Sequence, residues 1–171
     1  ELPICCGVCV LVRIISLLWC LPLCAQASCE LSDARLVGDT TLEAGCVYHQ
    51  SLRIERPLTL DCQGAVVDGE DRLARGLVID SRGEPLSGIL VRNCTFRRFV
   101  KHGILVHWGL PNEVKIARYP DRAKRWQRAP QNIRFVDVRV ERNGEVGIVL
   151  DDYVQNVTME RVSVRDNPGW G

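Results

Sequence analysis

Three stretches of the chain carry one pattern of apolar and polar positions, in phase and without gaps. They read ILVRNCTFRRFVKHG from Ile89, IRFVDVRVERNGEVG from Ile133 and VTMERVSVRDNPGWG from Val157. Apolar residues coincide at Ile89/Ile133/Val157, Val91/Phe135/Met159, Cys94/Val138/Val162 and Phe96/Val140/Val164. Gly103, Gly147 and Gly171 coincide as well. Alternation of this kind marks strands with one buried face. Each copy is two short strands, a polar turn and a glycine that opens a third strand, ILV after Gly103 and IVL after Gly147. GLVID from Gly76 is an earlier copy of the third strand, and PLTLDCQGAVVDG from Pro57 supplies another coil. No helical period of 3.6 persists after residue 27.

Repeats of roughly 20 to 30 residues built only from short strands and turns predict a stacked solenoid. Three strands per repeat, parallel in phase, predict a parallel β-helix. A β-sandwich would instead need antiparallel hairpins with tight two-residue turns. The coils are expected over residues 58–171, preceded by a cap and first strands over 28–57. Gly171 should open another third strand, so the last coil reads as unfinished and the chain as the N-terminal part of a longer protein.

The segments NVTMERVSVRDNPGWG and LDCQGAVVDG resemble coils of the pectate-lyase-like superfamily, across residues 42–171. That resemblance implies an all-β, right-handed, single-stranded parallel β-helix, incomplete at its C-terminus. It says little about activity, because the fold hosts lyases, hydrolases, epimerases, phage tailspikes and adhesins. Asn143 and Asn167 share a repeat position where the family often stacks asparagines, and Phe99 occupies it one coil earlier.

The first 27 residues change the picture from a bare fold to an exported one. Arg13 precedes the apolar run IISLLWCLPL, and CAQA follows with Ala25 and Ala27 in an A-x-A arrangement. This reads as a secretory signal peptide cleaved after Ala27, leaving a mature chain without a membrane span. Five of nine cysteines fall in that segment; Cys29, Cys46, Cys62 and Cys94 remain. In an oxidising compartment four cysteines allow three pairings. Cys29–Cys46 is the favoured staple, with Cys62 and Cys94 as partners or as buried thiols. The net charge of +1 gives no global argument for nucleic acid or an anionic membrane.

Alternation along the third strands aims Leu77, Ile79, Ile104, Val106, Ile148 and Leu150 inward. It also places Asp80, His107 and Asp151, each four residues after its glycine, in one outward column. Asp80 and Asp151 then stand roughly 9 to 10 Å apart, at the upper edge for an inverting glycosidase. His107 between two carboxylates is expected to have a raised pKa. The superfamily resemblance implies that this face forms the substrate groove. KHGI at Lys101–Ile104 resembles the G-H-G-I motif of polygalacturonases and makes His102 a second candidate. LARG and GEVG in the adjacent coils lack that family's aspartate pair. His49 reads as an ordinary polar strand residue.

After His107 the chain detours through residues 108–131 before the next strand. Lys115, Arg118, Arg122, Lys124, Arg125 and Arg128 outnumber Glu113 and Asp121, with Trp108, Tyr119 and Trp126 interleaved. Long loops are usually functional, arginine binds carboxylates bidentately, and aromatics offer flat faces to sugars. Trp108, Arg118, Tyr119, Arg122, Arg125 and Trp126 are therefore the expected contacts to an acidic, uronate-containing polysaccharide. Export makes nucleic acid the poorer partner. For a uronate the economical reaction is proton abstraction at C5, with His107 or His102 as base, leading to a lyase or C5-epimerase. Asp80, Asp151 and Asp152 are calcium candidates. The rival readings are a non-catalytic adhesin, carbohydrate-binding module or scaffold, and a polygalacturonase-like hydrolase. A monomer is expected for the full-length protein.

Overall fold

The alternating segments become short strands wound into coils in the computed structural model, which describes residues 28–169. The expected signal peptide over 1–27 and the repeat glycine Gly171 lie outside the described residues. The first coil carries β1 (Ser28–Cys29), β2 (Arg35–Leu36) and β3 (Thr40–Thr41). The second carries β4 (Val47–Tyr48), β5 (Leu52–Ile54) and β6 (Thr59–Asp61). The third carries β7 (Val66–Asp68), β8 (Arg75–Asp80) and β9 (Ser87–Arg92). Next come β10 (Thr95–Arg97), β11 (His102–His107) and β12 (Gln131–Val136), then β13 (Arg139–Glu141), β14 (Ile148–Leu150) and β15 (Gln155–Glu160). A final described strand, β16 (Ser163–Arg165), begins one more turn.

Equivalent strands pair in parallel, giving a first sheet β1-β4-β7-β10-β13-β16, a second β14-β11-β8-β5-β2 and a third β15-β12-β9-β6-β3. This is a parallel β-helix, as the repeat phase predicts. Residues 28–57 supply β1–β5, which pair in the same three sheets as the later coils. No helix among the described residues is long and apolar enough to cross a membrane.

The register stacks like upon like. Ile54, Ile79 and Val106 form one inward column, Leu60, Val91 and Phe135 another, and Val67, Phe96 and Val140 a third. All nine are completely buried, each contributing roughly 1.5–3 kcal/mol of apolar burial. Leu150 continues the first column in register above Val106, yet it is exposed, as are Met159 and Val164 on the last described strands. The repeat glycines have a steric cause: a Cβ on Gly103 or Gly147 would lie 2.3 or 2.4 Å from a methyl of Val140 or Val164.

Corners repeat too. Asn93, Asp137 and Arg161 follow the third-sheet strands with φ of 57°, 54° and 52°, and Arg98, Arg142 and Asp166 follow the first-sheet strands with φ of 54°, 55° and 57°. Asparagine and aspartate tolerate this left-handed region. Beside the second corner, Asn143 is buried and forms the expected ladder. Its backbone N–H and Nδ2 both donate to Asn167 Oδ1 at 2.9 Å, and its Oδ1 accepts from the Phe99 N–H at 3.1 Å. Phe99 ends the side-chain ladder but keeps the backbone link.

Both disulfides join neighbouring coils, Cys29–Cys46 and Cys62–Cys94. The pairing left open between partners and buried thiols is thus decided for Cys62 and Cys94. The detour after β11 is not an irregular loop: it folds as α1 (Asn112–Arg118) and α2 (Arg122–Arg128). Two-turn helices are too short for a 3.6 period to stand out, and Asp121 caps α2 by accepting from the Ala123 N–H at 2.8 Å.

Asn143→Ala should cost about 2–3 kcal/mol, because the buried Phe99 N–H loses its acceptor. Urea unfolding measures it, with Asn132→Gly as the control: the exposed Asn132 donates from Nδ2 to Ser87 Oγ and accepts from Asn156 Nδ2 in a solvated ladder, so a change below about 0.5 kcal/mol is expected.

Candidate functional site

The outer face of the second sheet carries the outward column. Because Ile54, Ile79, Val106 and Leu150 are in register, the residues that follow them, Glu55, Asp80, His107 and Asp151, stand one above another. His107 pairs directly with Asp80, its Nε2 3.6 Å from Asp80 Oδ2. The Asp151 N–H donates to the Val106 carbonyl at 2.9 Å and keeps Asp151 in the stack. The Asp80–His107–Asp151 column is therefore assembled. Glu55 extends it by one coil and escapes sequence reasoning, because Ser51 stands where the marker glycine would be.

Each acid already has a cation. Glu55 pairs with Arg35, Arg53 and Arg82. Asp80, nearly buried, pairs with Arg53 and accepts the Arg82 N–H at 2.8 Å. Gly109 closes over it; a Cβ there would lie 2.0 Å from Asp80 Oδ1. As a catalytic carboxylate Asp80 is thus corrected to a sealed turn-forming one. Asp151 accepts from Lys115 Nζ at 3.1 Å, and Lys115 is buried under α1. Burial raises the Asp151 pKa, but the Asp152 N–H and Lys115 outweigh it and hold the carboxyl below its usual range.

The histidine expectation is corrected as well. His107 titrates below its ordinary value, not above it, because burial opposes the imidazolium more than Asp80 and Asp151 favour it, and Arg53 and Arg75 add repulsion. Its Nε2 is buried without a hydrogen bond, and the 3.6 Å approach to Asp80 is too long for one. With Nε2 turned to Asp80, Nδ1 is the nitrogen left for a ligand on a side chain 25% exposed. His102 is lowered by burial too, against the pull of Glu145, whose Oε2 lies 3.7 Å from its Nε2. Five residue steps along β11 set the histidines about 17 Å apart. They cannot serve one sugar ring. Leu105 lies between them, flanked in register by Val78 and Val149, in a half-buried apolar stripe.

The two helices stand on an aromatic base. Trp108 is completely buried, stacked on Tyr119 at 5.7 Å, edge-on to Tyr153 at 6.0 Å and covered by Lys115 at 5.7 Å. It therefore anchors the insertion and offers no face to a sugar, which corrects its expected contact role. Arg118 sits 5.7 Å from the Tyr119 ring, while Arg125 sits 5.3 Å from Tyr153 and donates to the Tyr119 carbonyl at 3.1 Å. Trp126 differs: it is 46% exposed, with Arg122 5.4 Å from its ring. These two line a cleft of about 440 Å³ with Asp152, Tyr153, Val154 and Gln155. Tyr153 and Gln155 were not singled out in the sequence; their one signal is their place just after the column.

Asp80 and Asp151 do not fit a calcium cradle, and the exposed Asp152 joins no converging group of three metal-ligating side chains among the described residues. Asp80 and Asp151 each hold a protein cation. Among the described residues one cluster of three metal-ligating types converges, Cys29, Glu43 and Cys46, and its cysteines are disulfide-bonded. Comparison with protein families, curated proteins and solved structures finds nothing that matches this chain.

Both histidines bind a proton less readily folded than unfolded, so the unfolded chain gains protons first as pH falls below about 6.5. Stability should decline through that window and on down to the lower folded values. His102→Gln/His107→Gln should flatten the decline in urea midpoint between pH 7.5 and 5.5; an unchanged slope would contradict the burial account.

Proposed function

We propose that this chain is an exported β-helix protein of the pectate-lyase-like superfamily that binds an acidic, uronate-containing polysaccharide and abstracts its C5 proton. The single observation that carries the ligand class is the open Arg122–Trp126 pair. A guanidinium beside an exposed indole matches a sugar ring that bears a carboxylate. The two disulfides support an oxidising compartment and hence export after the signal peptide. A monomeric full-length protein suits a solenoid whose site lies on one face.

The cleft adjoins the column, since Asp151 is the last column member among the described residues and the next residue, Asp152, lines the cleft. His107 is the base. An imidazole titrating below its ordinary value is neutral at pH 7 and free to accept a proton. Its Nδ1 takes the C5 proton, the electron pair spreads into the sugar carboxylate, and Arg122 stabilises that charge. Expulsion of the C4 oxygen gives elimination; return of a proton to the other face gives epimerisation. Two-carboxylate hydrolysis has less support, because its general acid must stay protonated and the Asp152 N–H together with Lys115 holds Asp151 ionised against its burial.

The second reading is a non-catalytic carbohydrate-binding or adhesin-like scaffold. It is favoured by the internal neutralisation of Glu55, Asp80 and Asp151.

Calorimetric titration with a galacturonate oligomer should show binding, and Trp126→Ala or Arg122→Gln should weaken it about tenfold or more. In D2O the wild type should place deuterium at C5 or form an unsaturated, ultraviolet-absorbing product. His107→Ala should abolish both while binding persists. Binding without exchange or elimination in the wild type selects the scaffold, and absence of binding to uronate oligomers overturns the glycan reading.

A further inference from the structure

A second concavity lies on another face, where the first sheet bends away from the third. It encloses about 1020 Å³ and draws one or more residues from each of four successive turns, among them Asn93, Thr95, Asp137, Arg139, Arg161 and Ser163. Four turns span about 14 Å along the axis, so the groove is elongated, and no aromatic ring lines it.

Its charge distribution singles out one side chain. Arg161 grips Asp137 with two hydrogen bonds, of 2.6 and 2.8 Å. Arg165, also lining the groove, grips Glu141 with two, of 2.8 and 2.6 Å. Elsewhere on this face Arg97 and Arg98 converge on Asp68. Arg139 alone of the groove arginines has no carboxylate, carbonyl or ring partner for its guanidinium among the described residues, and it is exposed. Register places Thr95 one strand before it and Ser163 one strand after it in the same outward column. Each neighbour is about 4.8 Å away along the stack, so a hydroxyl donor flanks the free fork on both sides. The nearest acid in the groove, Asp137, has its charge occupied by Arg161 and does not compete for Arg139. The Cys62–Cys94 disulfide ties two of the contributing coils together beneath the groove and holds the spacing.

We propose that this groove is a second binding site, taking a carboxylate or sulfate group of a hydroxyl-rich oligosaccharide on Arg139, with Thr95 and Ser163 hydroxyls completing the shell. The sugar part of that ligand rests on the acidic-glycan reading; the anion-binding fork does not. Recognition here is by charge and hydrogen bonding, whereas the Arg122–Trp126 cleft adds a stacking face. The two sites share no residue, and one polymer engaging both would gain avidity through effective concentration.

The test follows arginine Nε–H resonances by NMR while the whole chain is titrated with trigalacturonate, its methyl ester or inorganic sulfate. Trigalacturonate should move the Arg139 signal and the ester should not. Arg139→Gln should weaken that binding event about tenfold, with the Arg122 response intact. The variant removes no internal partner, so its fold should match the wild type. Response of Arg139 to sulfate and trigalacturonate alike supports the fork and locates selectivity in the charge. Response of Arg122 without Arg139 overturns this second site while the cleft reading stands. Response of Arg139 without Arg122 supports the site and overturns the cleft. Silence at both positions overturns both.

Discussion

Everything in this molecule depends on parallel pairing in strict register, which brings each repeat position back about 4.8 Å further along the axis. A single coil cannot bury its apolar face, but a stack can, so Ile54, Ile79 and Val106 must sit over one another. The same backbone constraint governs polar positions. Whatever occurs at an outward position meets its equivalent in the next coil.

Charge columns show how the chain meets that constraint. On the first sheet Asp68, Arg97, Glu141 and Arg165 alternate in sign along one column, so neighbours attract. On the second sheet the corresponding column runs Glu55, Asp80, His107, Asp151 and does not alternate. Its acids draw their cations from outside the column, from Arg35, Arg53, Arg82 and Lys115. A column that breaks the pairing rule is where function is most reasonably sought, because it holds charge that stacking alone would not favour. The buried Lys115 also ties α1 to Asp151, joining the insertion to the site electrostatically as Trp108 joins it by packing.

The fold was legible because period-two alternation and the spacing of Gly76, Gly103 and Gly147 are local properties that translate directly into inward and outward positions. The Asp80–His107–Asp151 column was legible for the same reason. Glu55 was not, since its coil has Ser51 in place of the marker glycine. Two carboxylates are visible in the sequence and predict a raised His107 pKa, whereas burial, which a sequence does not display, reverses the direction. Trp108 and Trp126 look equivalent as aromatics among basic residues, yet one is completely buried and the other 46% exposed.

Residue order and a fixed period suffice for the solenoid, its three-strand repeat, the shared repeat position of Asn143 and Asn167, and which third-strand residues face outward, while the stacking of those two asparagines is what the family resemblance implies. Tertiary structure decided which outward groups are free to act. It sealed Asp80 under Gly109, gave Asp151 to Lys115, buried Trp108, paired Cys62 with Cys94, and left Arg122, Trp126 and Arg139 open. The physical reason is that availability depends on solvation and on neighbours brought from distant coils, and neither is encoded in the period of the chain.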